Sequence, residues 1–204
     1  MPARIARETD MDRTAMRERM AAMKQQLRTG VQVIAAPQLF PTPEAIAGRM
    51  VAEAHIRRGE HVGEFSAGTG RILAAIANAM DLTDIQVTAV EINQNLARAL
   101  RDRYPLARIL CADFLACCAE LGEFDRIIIN PPFANGQDIA HISHALRYLK
   151  PGARLVGICA NGSRQQQKLR PLVEERGGLW EELPEDAFEE SGTRVRAVLL
   201  TIDT

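Results

Sequence analysis

Hydrophobic positions along this chain switch repeatedly between a spacing of three or four residues and short unbroken apolar runs. Residues 8–28 place Met11, Met16, Met20, Met23 and Leu27 at steps of three to five, one stripe of an amphipathic helix ending near Gly30. A methionine stripe of this kind reads as core or interface. A short extended run over 31–36 follows, and Pro37, Pro41 and Pro43 then punctuate a loop. Pro43 suits the first turn of the next helix, and Thr42 suits its cap. From there the pattern predicts helix 44–57, strand 61–65, helix 71–80, strand 85–90, helix 94–103 and strand 107–110. A short helix 114–120, strand 125–129, helix 137–149, strand 153–159, helix 163–176 and strands 179–183 and 195–202 complete it. Such alternation predicts an α/β fold, a mainly parallel sheet covered by helices on both faces.

With 204 residues, 47% of them hydrophobic, the chain can bury one full core but not two ordinary ones. The expected organisation is an N-terminal helical extension over 1–36 and a single α/β domain over 37–204. A net charge of -1 gives no global attraction to a polyanion, so any such binding needs a local patch. Two basic clusters qualify: Arg4, Arg7, Arg13, Arg17, Arg19, Lys24 and Arg28 near the start, and Arg164, Lys168 and Arg170 late in the chain. Either one equally suits a solvated helix face. Eight acids between Glu174 and Glu190 would repel phosphates, so that edge is expected to face away from nucleic acid. Cys111, Cys117, Cys118 and Cys159 lack metal-ligand spacing and read as small buried apolar residues in a reducing cytoplasm. The start is charged, and no run approaches the roughly 18 apolar residues of a membrane span, so a soluble cytoplasmic protein is expected.

The strand His61-Val62-Gly63-Glu64-Phe65 runs into Ser66-Ala67-Gly68-Thr69-Gly70 and then directly into a helix. Small residues let the backbone turn sharply and approach a ligand, and the helix start offers free N–H groups. A turn of this kind is common in α/β proteins for packing alone; the next strand narrows the choice. It ends in Glu91, about twenty residues on, where an acid can accept both hydroxyls of a ribose. The third strand leads into Asp113-Phe114, which puts a second carboxylate beside the same crevice, placed for an adenine amino group. Capping of the following short helix accounts for Asp113 equally well.

The most informative stretch is Asn130-Pro131-Pro132-Phe133, at the carboxyl end of the strand 125–129. Two prolines halt the sheet and fix the backbone where open α/β sheets bind ligands. An amino group on a conjugated ring is a poor nucleophile because its lone pair is delocalised. The Asn130 side-chain oxygen and the Pro131 carbonyl can accept its two hydrogens and favour a tetrahedral nitrogen aimed at an electrophilic methyl. Phe133 can stack on the flat substrate and hold it in line. A tight turn would need the asparagine and one proline, not a second proline and an aromatic ring.

Together these motifs resemble the class I S-adenosylmethionine-dependent amino methyltransferases, the branch with an Asn-Pro-Pro-Phe motif, over residues 37–202. The resemblance implies a Rossmann-like fold with a mainly parallel seven-stranded sheet and S-adenosylmethionine as cofactor. It assigns cofactor binding to Phe40, Pro41, Thr42, Glu64, Ser66, Ala67, Gly68, Gly70, Glu91, Ile92, Asp113, Phe114 and Asn130, and catalysis to Asn130, Pro131, Pro132 and Phe133. Phe188 and Ser191-Gly192-Thr193 resemble a late hairpin of the same enzymes. Many adenine-specific DNA methyltransferases share this order of motifs, which implies the exocyclic nitrogen of adenine in DNA as substrate. Two features depart from the family. Phe65 stands where proline is common, which is tolerable if its side chain leaves the ligand face. The usual separate target-recognition domain is not found before Thr204, so selectivity is expected to be weak, delegated to a partner or built from the N-terminal helix and loops.

An RNA base or a protein glutamine amide remains an alternative substrate, since the tetrapeptide serves any planar amino group. Phe133 leans toward a base, because the glutamine enzymes more often carry tyrosine there. A non-catalytic nucleic-acid-binding regulator is a third reading, against which the intact glycines and tetrapeptide argue. Asp138, His141 and His144 share helical spacing, but the ligand set is incomplete and the segment reads as an ordinary amphipathic helix, with no metal expected.

Overall fold

The computed structural model describes residues 41–117 and 121–204. The helix expected over 8–28, the strand over 31–36, the cofactor assignment of Phe40 and the last residues of the helix expected to reach 120 lie outside the described residues. Seven strands form one sheet: β1 (His61–Phe65), β2 (Gln86–Glu91), β3 (Arg108–Cys111), β4 (Phe124–Ile129), β5 (Leu149–Ala160), β6 (Trp180–Glu182) and β7 (Ala197–Asp203). Their order is β3-β2-β1-β4-β5-β7-β6. Strands β1 to β5 run parallel, and β7 inserts antiparallel between β5 and β6. The helices are α1 (Glu44–Ala54), α2 (Arg71–Ala79), α3 (Gln94–Arg103), α4 (Gln137–Ala145), α5 (Ser163–Lys168) and α6 (Arg170–Glu175).

The near-continuous apolar runs of the central strands follow from burial on both faces. One layer joins Met50, Val62, Ile72, Leu73, Ile76, Leu100, Ile128 and Val156, which seats α1, α2 and α3 on that face. The other joins Phe65, Phe114, Phe124, Ile127, Ile129, Ile142, Leu155, Leu169 and Val173, which seats α4, α5 and α6. Strand alternation sends Val62 and Phe65 to opposite layers. Gly63 lies on Phe65's side, where a β-carbon would meet Phe65 Cζ at 2.8 Å and Phe124 Cδ1 at 3.0 Å. Phe65 is fully buried, stacked on Phe114 at 4.3 Å and edge-on to Phe124 at 5.2 Å. Its ring therefore belongs to the core, in keeping with a side chain that leaves the ligand face.

Four expectations are corrected. Helix 137–149 ends at Ala145, passes through a 3-10 turn (Leu146–Tyr148) and gives way to β5 already at Leu149. Pro151 explains the early switch, because it drives the preceding residue toward extended backbone, and Leu149 pairs with Phe124. Helix 163–176 is split at Leu169, because Pro171 offers no N–H to the preceding turn. Thr42 does not cap α1: the N-cap is Pro43, with no side-chain cap bond. Cys111 is exposed at the end of β3, whereas Cys159 is buried. Among the described residues no helix is long and apolar enough to cross a membrane, and no group of three or more His, Cys, Asp or Glu could hold a metal ion.

Candidate functional site

The strand order reverses at β1, whose neighbours are β2 and β4, and open sheets of this kind bind ligands at the carboxyl ends beside such a reversal. The loop after β1 and the tetrapeptide after β4 both open there.

The turn from β1 into α2 is tied to β2 by backbone bonds. Ser66 N and Ala67 N both donate to the Val90 carbonyl, at 2.9 and 3.0 Å. Gly68 N donates to Glu91 Oε2 at 2.7 Å, and Asn93 N donates to Glu91 Oε1, also at 2.7 Å. Glu91 is thus held by one N–H from the loop and one from its own turn, 5% exposed at the end of β2. Gly70 has φ +78°, and a β-carbon there would meet Leu100 Cδ2 at 2.5 Å, so both its backbone and its packing require glycine. Ser66 takes the same left-handed region, φ +72°, with a side chain attached.

Glu64 is 1% exposed on the central strand. A backbone bond from Leu73, in the first turn of α2, reaches its carboxyl, yet Oε2 has no partner among the described residues. Burial, reinforced by nearby Glu91, pushes its pKa well above the usual carboxylate range. Thr69 Oγ1, in the loop that follows, is a second buried polar atom without a partner among the described residues.

Asp113 does cap the 3-10 turn (Phe114–Ala116), accepting Leu115 N on Oδ1 at 3.0 Å, and it remains exposed. One oxygen serves the cap, and among the described residues the other has no protein donor. The Phe114 ring is turned into the core, 2% exposed. Two large apolar side chains near these strand ends are exposed: Ile92, which follows β2, at 69%, and Leu115, two residues after Asp113, at 38%. Leu115 was not singled out in the sequence, and its exposure is the signal that marks it.

In the tetrapeptide, Asn130 Nδ2 donates to Thr42 Oγ1 at 2.9 Å, and the Thr42 hydroxyl is itself buried. The Asn130 Oδ1 atom and the Pro131 carbonyl accept no protein donor among the described residues. Pro131 is buried, while Pro132 and Phe133 are half-buried. The Phe133 ring meets that of Phe188 edge-on at 6.4 Å. Ser191 Oγ donates to the Pro41 carbonyl at 2.5 Å. The late loop therefore does come to the site, as the resemblance to a late hairpin implies. Glu189 and Glu190, which follow Phe188 in this loop, are exposed.

His141, set aside in the sequence as part of a failed metal set, lies 7% exposed with Nδ1 3.1 Å from Ser66 Oγ. Burial lowers its pKa, so the ring is neutral near pH 7. A groove of about 1060 Å³ runs between α1 and α2, lined by Gly48, Ala52, Arg71, Ala75 and Asn78, and it is also touched by Pro41 and by Thr69 of the turn after β1.

Residues 32–179 match the family model of the methyltransferase small domain. The chain is 33% identical over 78 residues to a ribosomal RNA small subunit methyltransferase A of Chlorobium phaeobacteroides, covering 38% of this chain and 28% of that protein. It is 30% identical over 118 residues to a cobalt-precorrin-6B C(15)-methyltransferase (decarboxylating) of Salmonella typhimurium, covering 56% and 59%. The crystal structure of a type I restriction-modification system methyltransferase subunit from Streptococcus thermophilus superposes with a TM-score of 0.67 at 18% identity, over 80% of this chain and 44% of that one. The chain thus spans from under a third to about three fifths of the length of these relatives. With the family model covering most of its length and the fold agreeing, this chain belongs to the methyltransferase small domain family, and S-adenosylmethionine is the cofactor that family and fold assign to it.

Proposed function

We propose that this chain transfers the methyl group of S-adenosylmethionine to the exocyclic amino nitrogen of adenine in DNA. The residues fit the cofactor. Glu91 presents a fixed carboxylate for the ribose hydroxyls, and the outer oxygen of Asp113 suits the adenine amino group. Ile92 and Leu115 offer exposed apolar surface for the purine faces, and Phe114 contributes backbone rather than its ring. The orphaned Oε2 of Glu64 calls for a cationic or donor partner, which the cofactor's ammonium group supplies. Ser66, Ala67, Gly68 and Gly70 form the turn that follows it, and Pro41 and Thr42 join the site through Ser191 and Asn130. When bound, the cofactor supplies a methyl group made electrophilic by its sulfonium.

The observation that carries the reading is the free pair of acceptors in the tetrapeptide. With its Nδ2 held by Thr42, Asn130 keeps Oδ1 as an acceptor for a substrate. That oxygen and the Pro131 carbonyl accept the two amino hydrogens, drawing the nitrogen lone pair out of conjugation. Phe133 stacks on the base, braced by Phe188. No side chain need act as a strong base, because the proton is lost readily to water once the nitrogen carries four substituents. Reaching this crevice from duplex DNA requires the adenine to be flipped out of the stack.

A second reading keeps the chemistry and replaces DNA by RNA. The match to a ribosomal RNA methyltransferase favours it. Methyl transfer to unmethylated DNA and to RNA, with the modified base identified, separates the two: N6-methyladenine in DNA supports the first, label confined to RNA overturns it.

A further inference from the structure

We propose that His141 is a positioning residue for the cofactor loop, holding Ser66 in the left-handed backbone conformation on which the turn from β1 into α2 depends. The inference rests on the assignment of that loop to S-adenosylmethionine. Ser66 is one of three non-glycine residues with positive φ among the described residues, the others being His55 and Asn135. A side chain in this region crowds its own backbone, so the conformation persists only where surroundings impose it. Two bonds do so. The backbone N–H of Ser66 is fixed to Val90, and its hydroxyl meets His141 Nδ1 at 3.1 Å.

The imidazole is well placed to act as a fixed point. It rises from α4, and that helix is anchored by Asp138, which is fully buried one turn earlier. Asp138 accepts Ala160 N at 3.0 Å and Gln165 Nε2 at 3.0 and 2.8 Å, tying α4 to the end of β5 and to α5. On its other side the His141 ring lies 5.7 Å from that of Phe114, next to Asp113. One side chain therefore reaches both stretches assigned to the cofactor, the Ser66 turn and the Asp113-Phe114 turn. Asp113 and Asp138 favour a proton on His141, while burial and His144 oppose it, and the balance keeps the ring neutral. A neutral ring beside a hydroxyl adds no positive charge next to a sulfonium cofactor, which a lysine or arginine in this place would.

Isothermal titration with S-adenosylmethionine tests the proposal without turnover, on the native chain, His141→Ala, Ser66→Ala, the double variant, and His141→Ala combined with Ser66→Gly, each checked for cooperative thermal unfolding. Each single variant is expected to weaken binding about tenfold. The double alanine variant should lose no more than either single one, because both remove the same bond. Ser66→Gly should restore binding to within about twofold in the His141→Ala background, since glycine enters the left-handed region unaided. Native affinity in His141→Ala, or additive losses that glycine does not rescue, would overturn the proposal in favour of mere packing or a direct contact from the Ser66 hydroxyl. If His141→Ala does not fold, Ser66→Ala decides alone, and native affinity there overturns the proposal. A native chain that binds no S-adenosylmethionine would remove the cofactor assignment and the proposal with it, a result distinct from equal binding by all variants.

Discussion

Asn130 donates its side-chain Nδ2 to Thr42 Oγ1 over 2.9 Å, and this bond decides which face of the amide is left for a substrate. The two residues lie 88 positions apart, at the start of α1 and the end of β4. Thr42→Val keeps the shape and removes the acceptor, so the amide can turn its NH2 toward the crevice. Turnover is expected to fall about tenfold, with cofactor affinity reduced much less, and Thr42→Ser should restore most of it. Single-turnover methyl transfer alongside titration of the cofactor checks the split.

Glu64 carries a stability cost, which the proposed contact with the cofactor would relieve. Its pKa in the folded chain is raised by burial, so the folded state holds a proton that the unfolded chain releases above its ordinary value. Stability contributed at this position therefore falls as pH rises from the unfolded pKa toward the folded one. Glu64→Gln removes that dependence. The variant is expected to unfold about 2–4 °C higher near neutral pH in the absence of cofactor, yet to bind S-adenosylmethionine at least about tenfold more weakly. Thermal unfolding with and without cofactor measures both, and a variant unchanged in affinity would contradict the assignment of Glu64.

Much of this was legible in the sequence because periodicity and chain punctuation are local properties. Strand His61–Phe65 and helix Gln94–Arg103 fall where the apolar pattern puts them. Boundaries failed where proline acts at a distance of one or two residues, as at Leu149 before Pro151 and at Leu169 before Pro171. The motifs at Gly68, Glu91 and Asn130 were legible because each sits at a strand end, whose position the pattern fixes. The partners of Thr42 and His141 were not, because both depend on which elements are neighbours. Thr42 reads locally as a cap, and only the adjacency of the α1 start to β4 gives its hydroxyl to Asn130. His141 reads locally as one face of a helix, and only the fold brings it to Ser66.

Gly70 tests the loop from the backbone side. Gly70→Ala places a methyl 2.5 Å from Leu100 Cδ2 and forces a side chain into positive φ. A destabilisation of about 2–3 kcal/mol is expected from the combined strain and overpacking, with cofactor binding lost. Chemical denaturation reads the first effect. A fully stable variant would mean that α3 moves freely away from the loop.

Phe188 supports the ring of Phe133 from a fully buried position. Phe188→Ala is expected to destabilise the fold by about 3–5 kcal/mol, whereas Phe133→Ala, at a half-buried site, should cost far less stability and act on the substrate instead. The contrast is read by denaturation against the concentration dependence of methyl transfer.

Glu190 stands exposed two residues from Phe188, whose ring meets that of Phe133, and on the proposed reading a nucleic-acid backbone passes this loop. Glu190→Gln removes one repulsive charge and is expected to tighten nucleic-acid binding several-fold at low salt, with the gain shrinking as salt rises. No change at any ionic strength would place the polyanion on another face.

The most direct test of the central claim is transfer of labelled methyl from S-adenosylmethionine to unmethylated DNA by the native chain and by Asn130→Ala, with the modified base identified by mass spectrometry. The account predicts label on the exocyclic nitrogen of adenine, reduced at least about a hundredfold in the variant while cofactor binding persists. Cofactor binding without label on any DNA, or label that survives Asn130→Ala, would contradict it.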